Sequence, residues 1–161
     1  MKGMLRMGLV AVAALAAACA PRERTLVLLS TNDMHAKIQN FPRLASAVEA
    51  CRDTARLVVL VDAGDRWTGN AYVDMAPTPG MPMIALMNEL GYDVATLGNH
   101  EFDYGYDNLV KLSRTAKFPI LSANTLYNGK TAFGDNKIFT APDGTRIGVF
   151  GLETPETATK A

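Results

Sequence analysis

The chain has 161 residues, 48% of them apolar and 20% charged, which is enough for one ordinary domain and excludes a disordered segment. Sixteen Lys and Arg balance sixteen Asp and Glu, so there is no basic footprint for a nucleic acid polymer. Only two histidines occur, His35 and His100, and each falls in a polar cluster described below.

The first nineteen residues read as an export signal. Lys2 and Arg6 form a positive start, and Met7 to Ala18 is an apolar run too short to span a bilayer comfortably. Leu15-Ala16-Ala17-Ala18-Cys19 resembles a bacterial lipobox, with Cys19 as the lipidated residue and Ala16 where leucine is usual. Plain cleavage beside Ala18 is the rival, giving a soluble periplasmic or secreted protein. Residues 20–24 form a short polar tether, and the folded part begins at Thr25.

In chain order, Thr25 to Ser30 is a continuously apolar strand, expected to be buried on both faces. A loop with Asp33 and His35 leads to a helix from Pro42 to about Arg52, with Leu44, Ala47, Val48 and Cys51 on one face. Cys51 reads as a buried structural thiol. Arg56 to Asp62 is the second strand. Ala63 to Pro79 is a long Gly- and Pro-rich loop, a length that is usually functional or mobile. A helix from Pro82 to Leu90 packs through Met83, Leu86, Met87 and Leu90, and Gly91 stops it. Asp93 to Leu97 is the third strand, Tyr106 to Thr115 a helix, and Pro119 to Ala123 a fourth strand. Lys137 to Ala141 and Arg146 to Gly151 form a hairpin around Asp143-Gly144. The alternation implies an α/β domain with a mainly parallel sheet, whose sites gather at the carboxyl edge of the strands.

Three strands each end there in metal-ligand residue types: Asn32-Asp33-Met34-His35, Asp62-Ala63-Gly64-Asp65 and Gly98-Asn99-His100-Glu101-Phe102-Asp103. An isolated Asp after a strand is ordinarily a cap or turn former. Three such clusters on successive strands point instead to one shared site. Asp, His and Asn together suit Zn²⁺, Mn²⁺ or Fe²⁺, whereas Ca²⁺ or Mg²⁺ favours an oxygen-only shell. On an extended segment Asp33 and His35 point the same way and could share one ion. Asp65 could bridge two ions about 3.5–4 Å apart, with Asn99 offering a neutral oxygen to the second. Asp62 and Glu101 read as loop-bracing acids. Trp67, Tyr72 and Tyr104 lie near the clusters, and loop packing is the simpler reading of them.

These clusters resemble the first three motifs of the calcineurin-like metallophosphoesterases. Phe102 and Asp103, with Leu121-Ser122-Ala123-Asn124, resemble the bacterial 5′-nucleotidase/UDP-sugar hydrolase branch. The resemblance implies a sheet sandwich with flanking helices, of which this chain would supply the N-terminal portion. It implies two divalent metals: Asp33 and His35 on the first, Asp65 bridging, and Asn99 on the second and near a substrate phosphate oxygen. His100 would be catalytic rather than a ligand, with Asp103 orienting it. The implied reaction is hydrolysis of a nucleotide phosphoester. A 5′-nucleotidase leads, with 2′,3′-cyclic-nucleotide phosphodiesterase or UDP-sugar hydrolase as alternatives.

The sequence departs from that pattern in one respect. Family members carry further histidines and a separate C-terminal nucleoside-gripping domain, yet no histidine follows His100. The expectation is an N-terminal piece of a longer protein, whose missing part is a partner in the site. Taken alone, the 161-residue chain is expected to be a poor catalyst with under-coordinated metals. A rival from another class is an exported binding module that kept the fold and lost the metals.

Overall fold

The computed structural model describes residues 25–55 and 57–160. The export signal, Cys19 and the tether therefore lie outside the described residues. Among those described, no helix is long and apolar enough to cross a membrane.

Four strands form a parallel sheet: β1 (Val27–Thr31), β2 (Val58–Asp62), β3 (Val94–Thr96) and β4 (Ile120–Leu121), in that spatial order. The β1–β2 register sets Val27 beside Val58 and Thr31 beside Asp62, so the two strands end level. The connections carry helices α1 (Phe41–Thr54), α3 (Met81–Leu90) and α4 (Tyr106–Thr115). Parallel strands laid down in sequential order by right-handed crossovers place all their helices on one face. One apolar core accordingly joins Val48, Met83, Met87, Leu109 and Leu112 to Leu60, Ala95 and Ile120.

This arrangement corrects the expectation for the first strand. β1 is the sheet edge and its burial alternates: Leu29 packs on the core while Leu28 is 59% exposed and Ser30 is exposed. A continuously apolar run was not enough to bury both faces, because the helices cover only one. On α1 the buried stripe runs through Phe41 and Val48, with Ala47 exposed and Cys51 half-buried rather than buried. The α3 helix ends as expected: Gly91 adopts φ 70°, a left-handed cap that costs glycine little.

The long loop after β2 contains a short helix, α2 (Ala71–Asp74), capped by the Asn70 side chain accepting the Tyr72 N–H at 3.0 Å. Two small antiparallel hairpins follow β4: β5 (Leu126–Tyr127) with β6 (Lys130–Thr131), and β7 (Asn136–Thr140) with β8 (Arg146–Phe150). The second was expected and the first was not. Asn124 ties the end of β4 to the segment after β8: its side chain accepts the Glu153 N–H at 2.8 Å and donates to the Glu153 carbonyl at 2.6 Å. A last short helix, α5 (Thr157–Lys160), lies in a stretch that showed no pattern in the sequence.

Candidate metal centre

The three polar clusters follow β1, β2 and β3 and meet at the carboxyl edge of the sheet. The loops are stitched together by backbone bonds. Asp33 N–H donates to the Gly64 carbonyl (3.1 Å), His35 N–H to that of Asp65 (3.0 Å), and Ala36 N–H to that of Arg66 (3.0 Å). The loop after β1 is thereby laid along the loop after β2.

Asp33, His35 and Asp65 each offer a ligand atom, and these atoms lie within 4.8 Å of one another. His35 Nε2 is 3.7 Å from Asp33 Oδ1, while His35 Nδ1 lies 3.2 Å from the Thr68 carbonyl. A hydrogen bond at Nδ1 fixes the tautomer that leaves the Nε2 lone pair for an ion. The segment is not extended, as the sequence argument assumed. Asp33 has φ 49°, His35 φ 43° and Asp65 φ 54°. All three side chains converge because their backbone is left-handed, a conformation costing on the order of 1–3 kcal/mol per residue. Two carboxylates and an imidazole suit a transition-metal dication, and their spacing fits one such ion.

Asn99 begins a short 3₁₀ turn, Asn99–Phe102, and is half-buried. Its two neighbours both abut Asp65: the His100 N–H donates to Asp65 Oδ1 at 2.9 Å, and a Cβ on Gly98 would lie 2.7 Å from the Asp65 nitrogen. Gly64 and Gly98 cross so closely that a Cβ on Gly64 would sit 2.5 Å from the Gly98 nitrogen. Only glycines permit this approach of the two loops.

The His100 ring stands edge-on to that of His35, and its Nδ1 is 2.8 Å from Asp103 Oδ2. The Asp103 bond raises the His100 pKa above the usual imidazole value, and partial burial only offsets this. The pair thus makes an acid–imidazole contact through Nδ1.

Beneath the rim lies a charged group that the sequence did not disclose. Arg66 is fully buried. Its Nε donates to Asp62 at 2.9 Å, its Nη2 to the Thr96 carbonyl, and its Nη1 stands 3.8 Å from Glu101. Asp62 also accepts the Thr31 hydroxyl at 2.7 Å and the Gly64 N–H at 3.2 Å. Asp62 and Glu101 therefore brace loops, as anticipated. Burial pushes the Glu101 carboxyl up, while Arg66 and three backbone N–H groups pull it back.

The nearby aromatics divide. Trp67 is buried in the core, Tyr104 donates to Asp74 at 2.7 Å, and Tyr72 is 82% exposed on α2. Loop packing is correct for the first two.

Comparison with known proteins agrees with this geometry. Residues 26–159 match the model of the calcineurin-like phosphoesterase family. A bovine (Bos taurus) 5′-nucleotidase is 33% identical over 86% of this chain and 28% of its own length. A 2′,3′-cyclic-nucleotide 2′-phosphodiesterase/3′-nucleotidase of Yersinia enterocolitica is 35% identical over 81% of this chain and 24% of its own. Among solved structures, a 5′-nucleotidase precursor from Thermus thermophilus superposes with a TM-score of 0.72 at 28% identity, covering 83% of this chain and 29% of that one. The chain spans about a quarter of the length of these curated relatives. It belongs to the calcineurin-like phosphoesterase family, whose members are metal-dependent hydrolases.

Proposed function

We propose that this chain is the metal-holding part of a phosphoester hydrolase of the 5′-nucleotidase type, releasing phosphate from extracytoplasmic nucleotides. The observation that carries the reading is the meeting of Asp33, His35 and Asp65 within 4.8 Å, with the His100–Asp103 pair set against them. Asp33 and His35 would hold a first divalent cation, Asp65 would reach both, and Asn99 would serve the second. Bound cations of this kind supply an acidified water and neutralise phosphoryl charge. His100, whose charged form Asp103 favours, would donate from Nε2 to a phosphoryl or leaving-group oxygen. The Asp103 carboxylate would steady the imidazolium while that proton is held.

The nucleotide class rests on the relatives, two of which carry 5′-nucleotidase in their names. The Yersinia relative supports the cyclic-nucleotide alternative. Export and lipid attachment through Cys19 rest on the composition of the first nineteen residues. The test is a titration of the purified chain with Mn²⁺ or Zn²⁺, and phosphate release from AMP, 2′,3′-cyclic AMP and UDP-glucose by a full-length form. Metal binding that Asp65→Asn removes, with AMP preferred, supports the proposal. A chain that binds nucleotide but no metal supports the binding module.

A further inference from the structure

Glu101 is 1% exposed, and its carboxylate joins two loops that are remote in sequence. Oε2 accepts the Gly98 N–H at 2.5 Å and the Asp65 N–H at 2.8 Å, and Oε1 accepts the Arg66 N–H at 3.0 Å. Asp65 is thus gripped at both ends, by Glu101 at its peptide nitrogen and by the His100 N–H at its carboxylate. Arg66 supplies the opposite charge beneath Glu101 and is itself anchored by Asp62 and Thr96. A carboxylate with no donor facing it from solvent, spent wholly on backbone N–H groups, fixes the path of the chain rather than touching a ligand.

We infer that Glu101 is a positioning residue for the cation site: by welding the loop after β2 to the loop after β3, it sets the Asp65 carboxylate where an ion can bind. This rests on the reading of Asp65 as a cation ligand. Buried glue for the fold alone would stabilise the domain without governing ion affinity. The weld, by contrast, holds Asp65 in its left-handed conformation, φ 54°, which the loop would otherwise relax.

The distinguishing experiment is isothermal titration of the full chain with Mn²⁺, alongside circular dichroism and urea unfolding. Glu101→Gln keeps the size of the side chain but places an NH₂ donor against backbone N–H donors. Its Mn²⁺ dissociation constant should rise at least tenfold with the circular dichroism spectrum retained. A core variant of similar stability loss, Leu112→Val, should bind as the unmutated chain does. Should Glu101→Gln fail to fold, Glu101→Asp takes its place, because the shorter carboxylate keeps the charge beside Arg66 but cannot reach the three N–H groups together. It should show the same tenfold loss. Unchanged affinity in either folded variant, when Asp65→Asn has lost binding, overturns this inference alone. Equal binding by Asp65→Asn and the unmutated chain, or no binding by either, overturns the metal reading and this inference with it.

Discussion

The rings of His35 and His100 stand edge to face with centroids 4.8 Å apart and planes 72° to one another. The first ring is held through Nδ1 at the Thr68 carbonyl and the second through Nδ1 at Asp103. Each imidazole is therefore oriented by its own partner, which suits the different roles proposed for the two. Four expected outcomes follow from that division and from the buried charges below it.

In full-length form, Asp65→Asn should abolish tight divalent binding if, as proposed, the carboxylate that receives the His100 N–H also holds the ion. His100→Ala should retain metal while lowering turnover by about 10²–10⁴-fold, the usual scale for a lost general acid or base. Metal content by elemental analysis and steady-state phosphate release separate the two. If His100→Ala instead strips the metal, the division of labour is wrong.

His100 should titrate above the ordinary imidazole value in the metal-free chain, because Asp103 favours its charged form. With two histidines in the sequence, a proton NMR titration needs only one variant, His35→Gln, to assign both. Asp103→Asn should move the His100 midpoint downward. The sign for stability follows from the raised pKa. The His100–Asp103 contact contributes fully below the unfolded-state imidazole pKa, and its contribution fades as pH rises through the folded value. Urea midpoints of Asp103→Asn should therefore differ most from those of the unmutated chain on the acid side of that window.

Arg66→Met should be among the most damaging single changes. It leaves Asp62 and Glu101 buried without their counter-charge, and removing one partner of a buried pair costs about 3–5 kcal/mol. Equilibrium urea unfolding, read by the fluorescence of the single Trp67 beside it, measures the loss. A loss below about 1 kcal/mol, the level of an exposed pair, would mean that the guanidinium is not buried as described.

Gly64→Ala should cost about 2–4 kcal/mol, combining left-handed strain with an overpacked crossing. Gly64 has φ 105°, and its new Cβ would meet the Gly98 backbone rather than a pliable side chain. Chemical denaturation measures it, and a normal unfolding midpoint would contradict the close crossing of the two loops.

Much of this was legible because strong local patterns coincide with tertiary ones. The α4 helix runs from Tyr106 to Thr115 as expected, and Gly91 caps α3. Asp33, His35 and Asp65 come together because parallel strands must end at one rim. The failures have physical causes. Leu28 is exposed because the sequential strand order, which no single strand records, puts the helices on one face of the sheet and leaves the other open. Arg66 was missed because a charged residue after a strand ordinarily lies in solvent, and only three-dimensional contact reveals two acids waiting for it. Its spacing of four from Asp62 was the available hint. The β5–β6 hairpin had a turn signal in Asn128-Gly129, both at positive φ. Its strands are two residues long and exposed, so no alternation marked them. The extended-segment argument for Asp33 and His35 reached their observed proximity through the wrong backbone.

The left-handed backbone of Asp33, His35 and Asp65 has a bearing on how such a chain would age. Glycine fits those angles without strain, so at each of the three positions a drift toward glycine would relieve the local backbone while deleting a donor. Against that relief stand the His100 N–H bond that Asp65 accepts and the Thr68 contact of His35, so such a drift would trade backbone ease for lost hydrogen bonds.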